Sequence, residues 1–311
     1  MRIYCVGQLT ADIIVTGVES FHLDVDTMNV DGIVIKNGGD CMNTAIGLAR
    51  LGAGVDFGGM VGDDMLGRYL RAVLEENGID VAGLRINSDV PTSSVIVLIQ
   101  PDGNRAFLYY GGTNRKYGFD DIDMARLRSS SHVHIGGTYQ LDLLDGQNAA
   151  HLFSKARQLG LTTSMDVTWD PSGRWMSVIE PCLPFLDIFM PSENEAKYIT
   201  GKDDPVDMAE CFLEHGVGTA IIKLGANGAY IKEKNADGFF VPAFKTNVVD
   251  TTGAGDSFVA GFLSRYIKGL PVYDCIVFAL AVGAHCIREV GATTGIPDEQ
   301  TILDYIKNNP L

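Results

Sequence analysis

The chain has 311 residues, 46% of them apolar and 20% charged, and carries a formal charge of −15 at pH 7. So acidic a surface repels nucleic acid backbones and anionic membranes, and no run of about 18 apolar residues is present to cross a bilayer. The length and apolar content suit one large core with a small appendage, so residues 1–311 are read as one domain. Cys5, Cys41, Cys182, Cys211, Cys275 and Cys286 form no CxxC pair and lie mostly in apolar runs. They are expected to be core residues in a reducing compartment rather than disulfides. The N-terminus shows no signal-peptide pattern, so the expectation is a soluble cytoplasmic protein.

Residues 3–6 read as a strand, followed by Gly7-Gln8-Leu9-Thr10 where a nicotinamide-binding enzyme would show GxGxxG. Asp12 precedes a second apolar run, Ile13 to Val15, and Gly32 to Ile35 is another. Asn37-Gly38-Gly39-Asp40-Cys41-Met42-Asn43 then leads into a helix that ends at Gly52. Its paired glycines allow close backbone approach, and Asp40 and Asn43 offer the groups that read sugar hydroxyls. An ordinary turn and helix cap explains the stretch equally well. Val55–Val61 reads as a strand, and Asp63 is the cap candidate for the helix after it.

Thr92–Gln100 and Arg105–Tyr110 are β-rich runs joined by Pro101-Asp102-Gly103-Asn104, a hairpin signal. With 13–15 and 33–35 they make four short strands without intervening helices. These segments, near 12–36 and 92–112, are read as a β lid that shields a site from water, with Arg105, Thr113 and Asn114 facing the substrate. From Ser131 onward strand and helix alternate, with strands at 132–135, 162–166 and 220–225 and a helix at 145–159. Alternation of this kind implies parallel strands with ligands at their carboxyl ends. His132 and His134 alternate along one strand, a weak hint of metal binding. Pro191 to Lys197 reads as an acidic helix start. Lys223 ends a buried strand; it is either a cation beside an anionic ligand or a solvent-facing lysine.

The densest stretch is Asp250-Thr251-Thr252-Gly253-Ala254-Gly255-Asp256, between a strand-like run ending at Val248-Val249 and a helix over 257–268. The first amides of a helix lack internal acceptors and carry partial positive charge. Gly253 and Gly255 let those amides close around an anion. A carboxylate beside an anion hole repels a resting phosphate, so Asp256 is assigned a chemical role, taking a proton from an attacking hydroxyl.

On this run and on the Gly38-Gly39…Asn43 stretch, the chain resembles the ribokinase-like (PfkB) carbohydrate kinases, over nearly its whole length. The resemblance implies a three-layer α/β/α sandwich with a mostly parallel central sheet and a small β lid. It implies that the Gly253, Ala254 and Gly255 amides form the anion hole and that Asp256 is the catalytic base. Asp12, Gly38, Gly39 and Asn43 become sugar contacts. Many relatives carry a small or basic residue where Asp40 stands, and a carboxylate there suits a neutral sugar. Residues 191–197 resemble the family's Asn-x-x-Glu motif, which organises magnesium through water. Glu195 matches the Glu, while Ser192 stands in the Asn position. Lys223, Gly225, Ser192 and Thr252 fall on the nucleotide side. Asp250, Thr252, Cys286, Glu289, Gly291 and Gly295 match positions that hold a monovalent cation such as potassium. Lids in the family pair into homodimers.

The reading is an ATP-dependent sugar kinase acting on a primary hydroxyl of a small neutral sugar. Its partners are the sugar and ATP, with no nucleic acid and no membrane. A nucleoside kinase on the same scaffold would need an apolar wall for a base, for which Phe107, Tyr109 and Tyr139 are candidates. A catalytically silent sugar-binding regulator is the reading from another class, and Ser192 is its only support.

Overall fold

The structure is a computed structural model that describes residues 1–20, 24, 26–102 and 104–311. Its first half contains β1 (Arg2–Gly7), β2 (Thr10–Thr16), β3 (Gly32–Gly38), α1 (Asp40–Arg50), β4 (Gly54–Gly62), α2 (Met65–Glu76), β5 (Asp80–Asn87), β6 (Ser94–Ile99), β7 (Arg105–Tyr110), α3 (Met124–Ser129) and β8 (His132–Thr138). There follow α4 (Gln147–Gln158), β9 (Thr162–Val167), α5 (Met176–Ile179), β10 (Ile188–Phe189), α6 (Glu193–Thr200), α7 (Pro205–Glu214), β11 (Thr219–Lys223), β12 (Ala229–Glu233), β13 (Phe239–Val241), α8 (Ala254–Tyr266), α9 (Val272–Cys286) and α10 (Glu299–Asn308).

Nine strands form the main sheet in the order β13-β12-β11-β10-β9-β8-β1-β4-β5. Pairing from β5 through to β11 is parallel, and β12 and β13 add an antiparallel edge. Alternation along β1 explains the layers. Ile3 and Cys5 pack into one apolar core with α1, α8 and α9, whereas Tyr4 and Val6 pack into a second with α4 and α7. A sheet covered on both faces has strands buried throughout, and β8 is buried at every residue. The order reverses between β1 and β8, which opens a crevice at their carboxyl ends. The N-terminus of α1 plugs into it: a Cβ on Gly7 would meet the Gly136 carbonyl at 2.2 Å and Cys41 Cβ at 3.2 Å.

The four expected lid strands form a separate sheet, β3-β2-β6-β7. Its outer pairs are antiparallel, and its central pair, β2 with β6, is parallel. The hairpin turn read at 101–104 includes Gly103, which lies outside the described residues. Cross-strand pairing puts Asp12, Val95 and Tyr109 on one face, together with Arg105 and Phe107, and Ile13, Ile35, Ile96 and Leu108 on the other.

Four expectations are corrected. Val248-Val249 is not a strand. Both valines are exposed, and Val249 donates to the Ile287 carbonyl, so the segment is strapped to the end of α9 instead of to a sheet edge. The cap of α2 is Asp64, whose side chain accepts from Gly67 N, while Asp63 pairs with Arg68 at the surface. The histidines of β8 are no metal site: His132 bonds Thr162 and Ser164, and His134 bonds Ser164, inside the sheet. Thr113 and Asn114 are buried braces. The Asn114 side chain accepts from Leu9 N and donates to Leu9 O, and Thr113 bonds Ser93. All six cysteines are free, and only Cys211 is not fully buried.

Candidate active site

The site forms where three helix starts meet the carboxyl ends of the strands. At the first, Gly39 caps α1 with φ 89°, and a Cβ there would lie 2.7 Å from Leu9 Cα. Only glycine suits both constraints. Beside it, the Asp12 carboxylate covers Gly38, where an added Cβ would fall 2.2 Å from its oxygen. Burial raises Asp12 to about 6, and a hydrogen bond from Thr10 opposes the rise.

At the second, Gly253 caps α8 in the left-handed region, φ 74°, with the Ala292 carbonyl 2.2 Å from its would-be Cβ. The turn frees the amides that follow, and Asp256 stands in the first turn of the helix, buried. Helix α8 lies close enough to α1 for their side chains to bond because Gly47 faces Ala260, where a Cβ would approach to 2.7 Å. Asn43 Nδ2 therefore donates to Asp256 Oδ2 at 2.8 Å, and Asn43 Oδ1 accepts from Asn37 at 3.0 Å. Both ends of the Asn43 amide are thus engaged inside the protein. Burial raises Asp256 to about 7; the Asn43 hydrogen bond and Lys223 oppose this, and the charges of Asp166 and Glu195 add to it.

At the third, Ser192 caps α6. Its hydroxyl accepts from Glu195 N at 3.4 Å, and Glu195 Oε2 accepts from Ser192 N at 2.7 Å. This reciprocal pair is a capping box, so the helix-start reading of 191–197 holds and one Glu195 oxygen is already engaged. Asn194 is exposed on the outer side of the helix.

Lys223 is not a solvent-facing lysine. Its Nζ donates to Asp166 Oδ2 at 2.7 Å and lies 3.3 Å from where a Cβ on Gly255 would be. The ammonium therefore stands at the mouth of the anion hole. Asp40, Asp166, Glu195 and Asp256 all face this single cation, and all four carboxyls are raised, first by burial. Such an excess of acid fits a divalent cation. Among the described residues no three His, Cys, Asp or Glu side chains converge tightly enough to bind one directly.

A cleft of about 490 Å³ opens beside Lys223 and Gly255. It runs between Gly225, Phe244 and Val248 on one side and Leu280 and Ile287 on the other. Gly225 has φ 57° and open space where a Cβ would be. Segment 242–249 supplies much of this wall, and sequence reasoning missed it because the segment has no periodicity to detect.

Arg105 lies elsewhere than expected. It starts β7 in the lid, yet Nη2 donates to Asp250 Oδ1 at 2.8 Å and Nη1 to Thr252 Oγ1 at 2.6 Å. Thr252 N and Oγ1 also donate to Asp250 Oδ1, and Gly291 N donates to Oδ2 at 3.0 Å. Three of these donors converge on Oδ1 and one meets Oδ2, so most of the roughly four acceptor positions of a carboxylate are taken. Burial works against the charged form of Asp250, but its donors outweigh burial and hold it at about 2. In the monovalent-cation set implied by resemblance, the Asp250 carboxylate is already paired with a guanidinium. Glu289 is exposed, and the single hydrogen of the Cys286 thiol can go to the Ala292 or the Thr252 carbonyl.

The model of the pfkB family carbohydrate kinases matches residues 1–299. An uncharacterized sugar kinase of Archaeoglobus fulgidus is 32% identical over 81% of this chain and 98% of its own. The 2-dehydro-3-deoxygluconokinase of Bacillus subtilis is 28% identical over 85% and 84%. The structure of Arabidopsis thaliana ribokinase complexed with ribose and ATP superposes with a TM-score of 0.88 at 24% identity, covering 98% of both chains. Because the family match runs over almost its full length, the chain belongs to the pfkB family of carbohydrate kinases.

Proposed function

We propose that the protein transfers the γ-phosphoryl group of ATP to a primary hydroxyl of a small neutral sugar. The observation that carries this reading is Asp256: a buried carboxylate at the N-terminus of α8, held by Asn43 and raised to about 7. A general base is most effective when its pKa lies near the working pH. Asp256 takes the proton of the sugar hydroxyl, and the 253–255 amides and Lys223 stabilise charge on the phosphoryl oxygens. Phosphoryl transfer gains most of its rate from such positioning and charge. Glu195, with Asp166 near it, would hold magnesium through water, and the ion would neutralise phosphate charge. The cleft along α9 takes the nucleotide.

Asp12, Gly38, Gly39 and Asp40 border the acceptor. The ribose and ATP of the Arabidopsis relative support a neutral acceptor. So does Asp12, whose carboxylate has the Thr10 hydroxyl and no cation as its side-chain partner among the described residues. The Bacillus relative is named for a sugar acid. Of the acceptor residues expected from the sequence, Asn43 is assigned to holding the base.

A nucleoside acceptor is the second reading. Phe107 and Tyr109 lie on the same lid face as Asp12 and form an aromatic wall. Tyr139 does not join it, since it is buried and its hydroxyl donates to the Trp175 carbonyl. The opposite lid face exposes Ile33, Ile35, Ile96, Leu108 and Tyr110, which supports pairing of two lids into a homodimer. Light scattering should then give twice the chain mass, and Leu108→Lys should return it to one. No helix is long and apolar enough to cross a membrane among the described residues, and the free buried cysteines suit the cytoplasm.

The test is ATP consumption with magnesium against neutral sugars, sugar acids, sugar phosphates and nucleosides. Turnover of neutral sugars alone is expected. Turnover of acids would remove the role of Asp40 as a charge filter, and turnover of nucleosides alone would establish the second reading.

A further inference from the structure

We propose that Arg105 is a built-in counter-ion: its guanidinium takes the place of a monovalent cation at the Asp250 loop and makes turnover independent of potassium. The inference deepens the kinase reading and rests on it for its catalytic consequence.

The loop 250–252 runs directly into Gly253, whose turn aims the anion-hole amides. Anything that holds Asp250 and Thr252 therefore holds the hole. Two segments grip this loop. From the lid, Arg105 donates to Asp250 Oδ1 at 2.8 Å and to Thr252 Oγ1 at 2.6 Å. From the loop after α9, Gly291 N donates to Asp250 Oδ2 at 3.0 Å. The Arg105 side chain is 26% exposed and that of Asp250 is 11% exposed, so the pair is shielded enough to be worth more than a surface ion pair.

Carbonyls of the turn after α9 also have partners within the protein. The Cys286 thiol lies 3.3 Å from the Ala292 carbonyl and 3.7 Å from that of Thr252, so its one hydrogen can go to either. The Thr293 carbonyl accepts from the guanidinium of Arg50. Arg50 thus holds the segment after α9, which in turn reaches Asp250 through Gly291 N. A potassium ion at Asp250 would have to displace the Arg105 guanidinium or sit beside its fixed positive charge.

Function follows from where Arg105 is anchored. It is a positioning residue, since it acts on the anion hole through Asp250 and Thr252. Because it belongs to the lid, the counter-charge is delivered by the element that covers the acceptor. A soluble ion would bind the loop whether or not the lid were in place; a lid arginine ties the two together.

The experiment measures wild type, Arg105→Gln and Arg105→Lys, each in tetramethylammonium chloride and in potassium chloride at equal ionic strength. Turnover is followed with the best acceptor from the panel, and thermal unfolding is followed without any substrate. Wild-type turnover is expected to change less than twofold with potassium, and its unfolding midpoint should not move. Arg105→Gln should lose turnover by roughly tenfold to a hundredfold, as for a misplaced catalytic loop. Potassium or guanidinium ion should restore part of that loss and raise the midpoint of this variant alone. Arg105→Lys should keep the charge and stay insensitive to potassium. Strong potassium activation of wild type, or a potassium-dependent rise in its midpoint, would overturn the proposal. So would an Arg105→Gln variant that responds to potassium no more than wild type does. The unfolding arm needs no acceptor, so it separates failure of this inference from failure of the kinase reading.

Discussion

Asn43 and Asp256 are 213 residues apart in sequence, yet their side chains meet at 2.8 Å across the α1–α8 contact. The amide that resemblance assigns to the sugar is bonded here to Asp256, the proposed base. It donates to the carboxylate, so it favours the charged form and restrains a rise driven by burial. Replacing Asn43 with Ala should therefore move Asp256 further up. The acid limb of the rate profile should shift to higher pH, and turnover at pH 7 should fall by about tenfold or more. A pH–rate profile of the variant checks this, and an unmoved limb would show that Asn43 does not tune the base.

The wild-type profile has a definite sign. Asp256 works as a base only when deprotonated, and its value is about 7. Turnover should fall as pH drops below about 7 and level off above it. Asp256→Asn should remove this limb and lower turnover by about a hundredfold to ten thousandfold. Sugar binding by calorimetry should change far less than turnover. Near-normal turnover in that variant would sink the assignment.

Lys223 and Asp166 form a shielded ion pair at the anion hole. Removing one partner leaves the other charge uncompensated, at a cost of about 3–5 kcal/mol. Lys223→Met should lower stability on that scale and raise KM for ATP. The double variant with Asp166→Asn should recover much of the stability without recovering nucleotide affinity. Urea unfolding of the two singles and the double measures the coupling. Simple additivity would mean that the pair contributes nothing as a pair.

Gly253 and Gly269 test the anion-hole turn against a control. Both are left-handed, with φ 74° and 76°. A Cβ on Gly269 meets nothing within 4 Å, whereas one on Gly253 meets the Ala292 carbonyl at 2.2 Å. Gly269→Ala should cost about 1 kcal/mol of stability and leave turnover intact. Gly253→Ala should cost more and reduce turnover sharply, because the loop must move to admit the methyl group. Equal effects of the two on kcat would show that this turn does not aim the amides.

Much of this molecule was legible from local chemistry. Burial of β1, β8 and β9 on both faces, the alternation of strand and helix after residue 131, and the two glycine-bearing helix starts are all written in short stretches of chain. So is the place of Asp256 at a glycine-led helix start, because its neighbours alone mark it. The four lid strands could be separated from the body for the same reason, since no helix intervenes between them.

Tertiary structure decided which of these groups touch. Nothing near Asn43 in sequence says that its amide turns toward Asp256 rather than a ligand; that depends on Gly47 and Ala260 letting α1 and α8 approach. Lys223 could not be told from a surface lysine until Asp166 arrived from two strands away in the sheet. Ser192 and Glu195 were legible as a helix start, and folding joined them into a capping box. Arg105, read as a sugar contact, proved to be the lid's hold on Asp250 and Thr252. Period and propensity are properties of neighbours in sequence and determine elements and their ends. A hydrogen bond between side chains depends on distances of a few tenths of an ångström, set by how whole elements pack, and that information is spread over the entire chain.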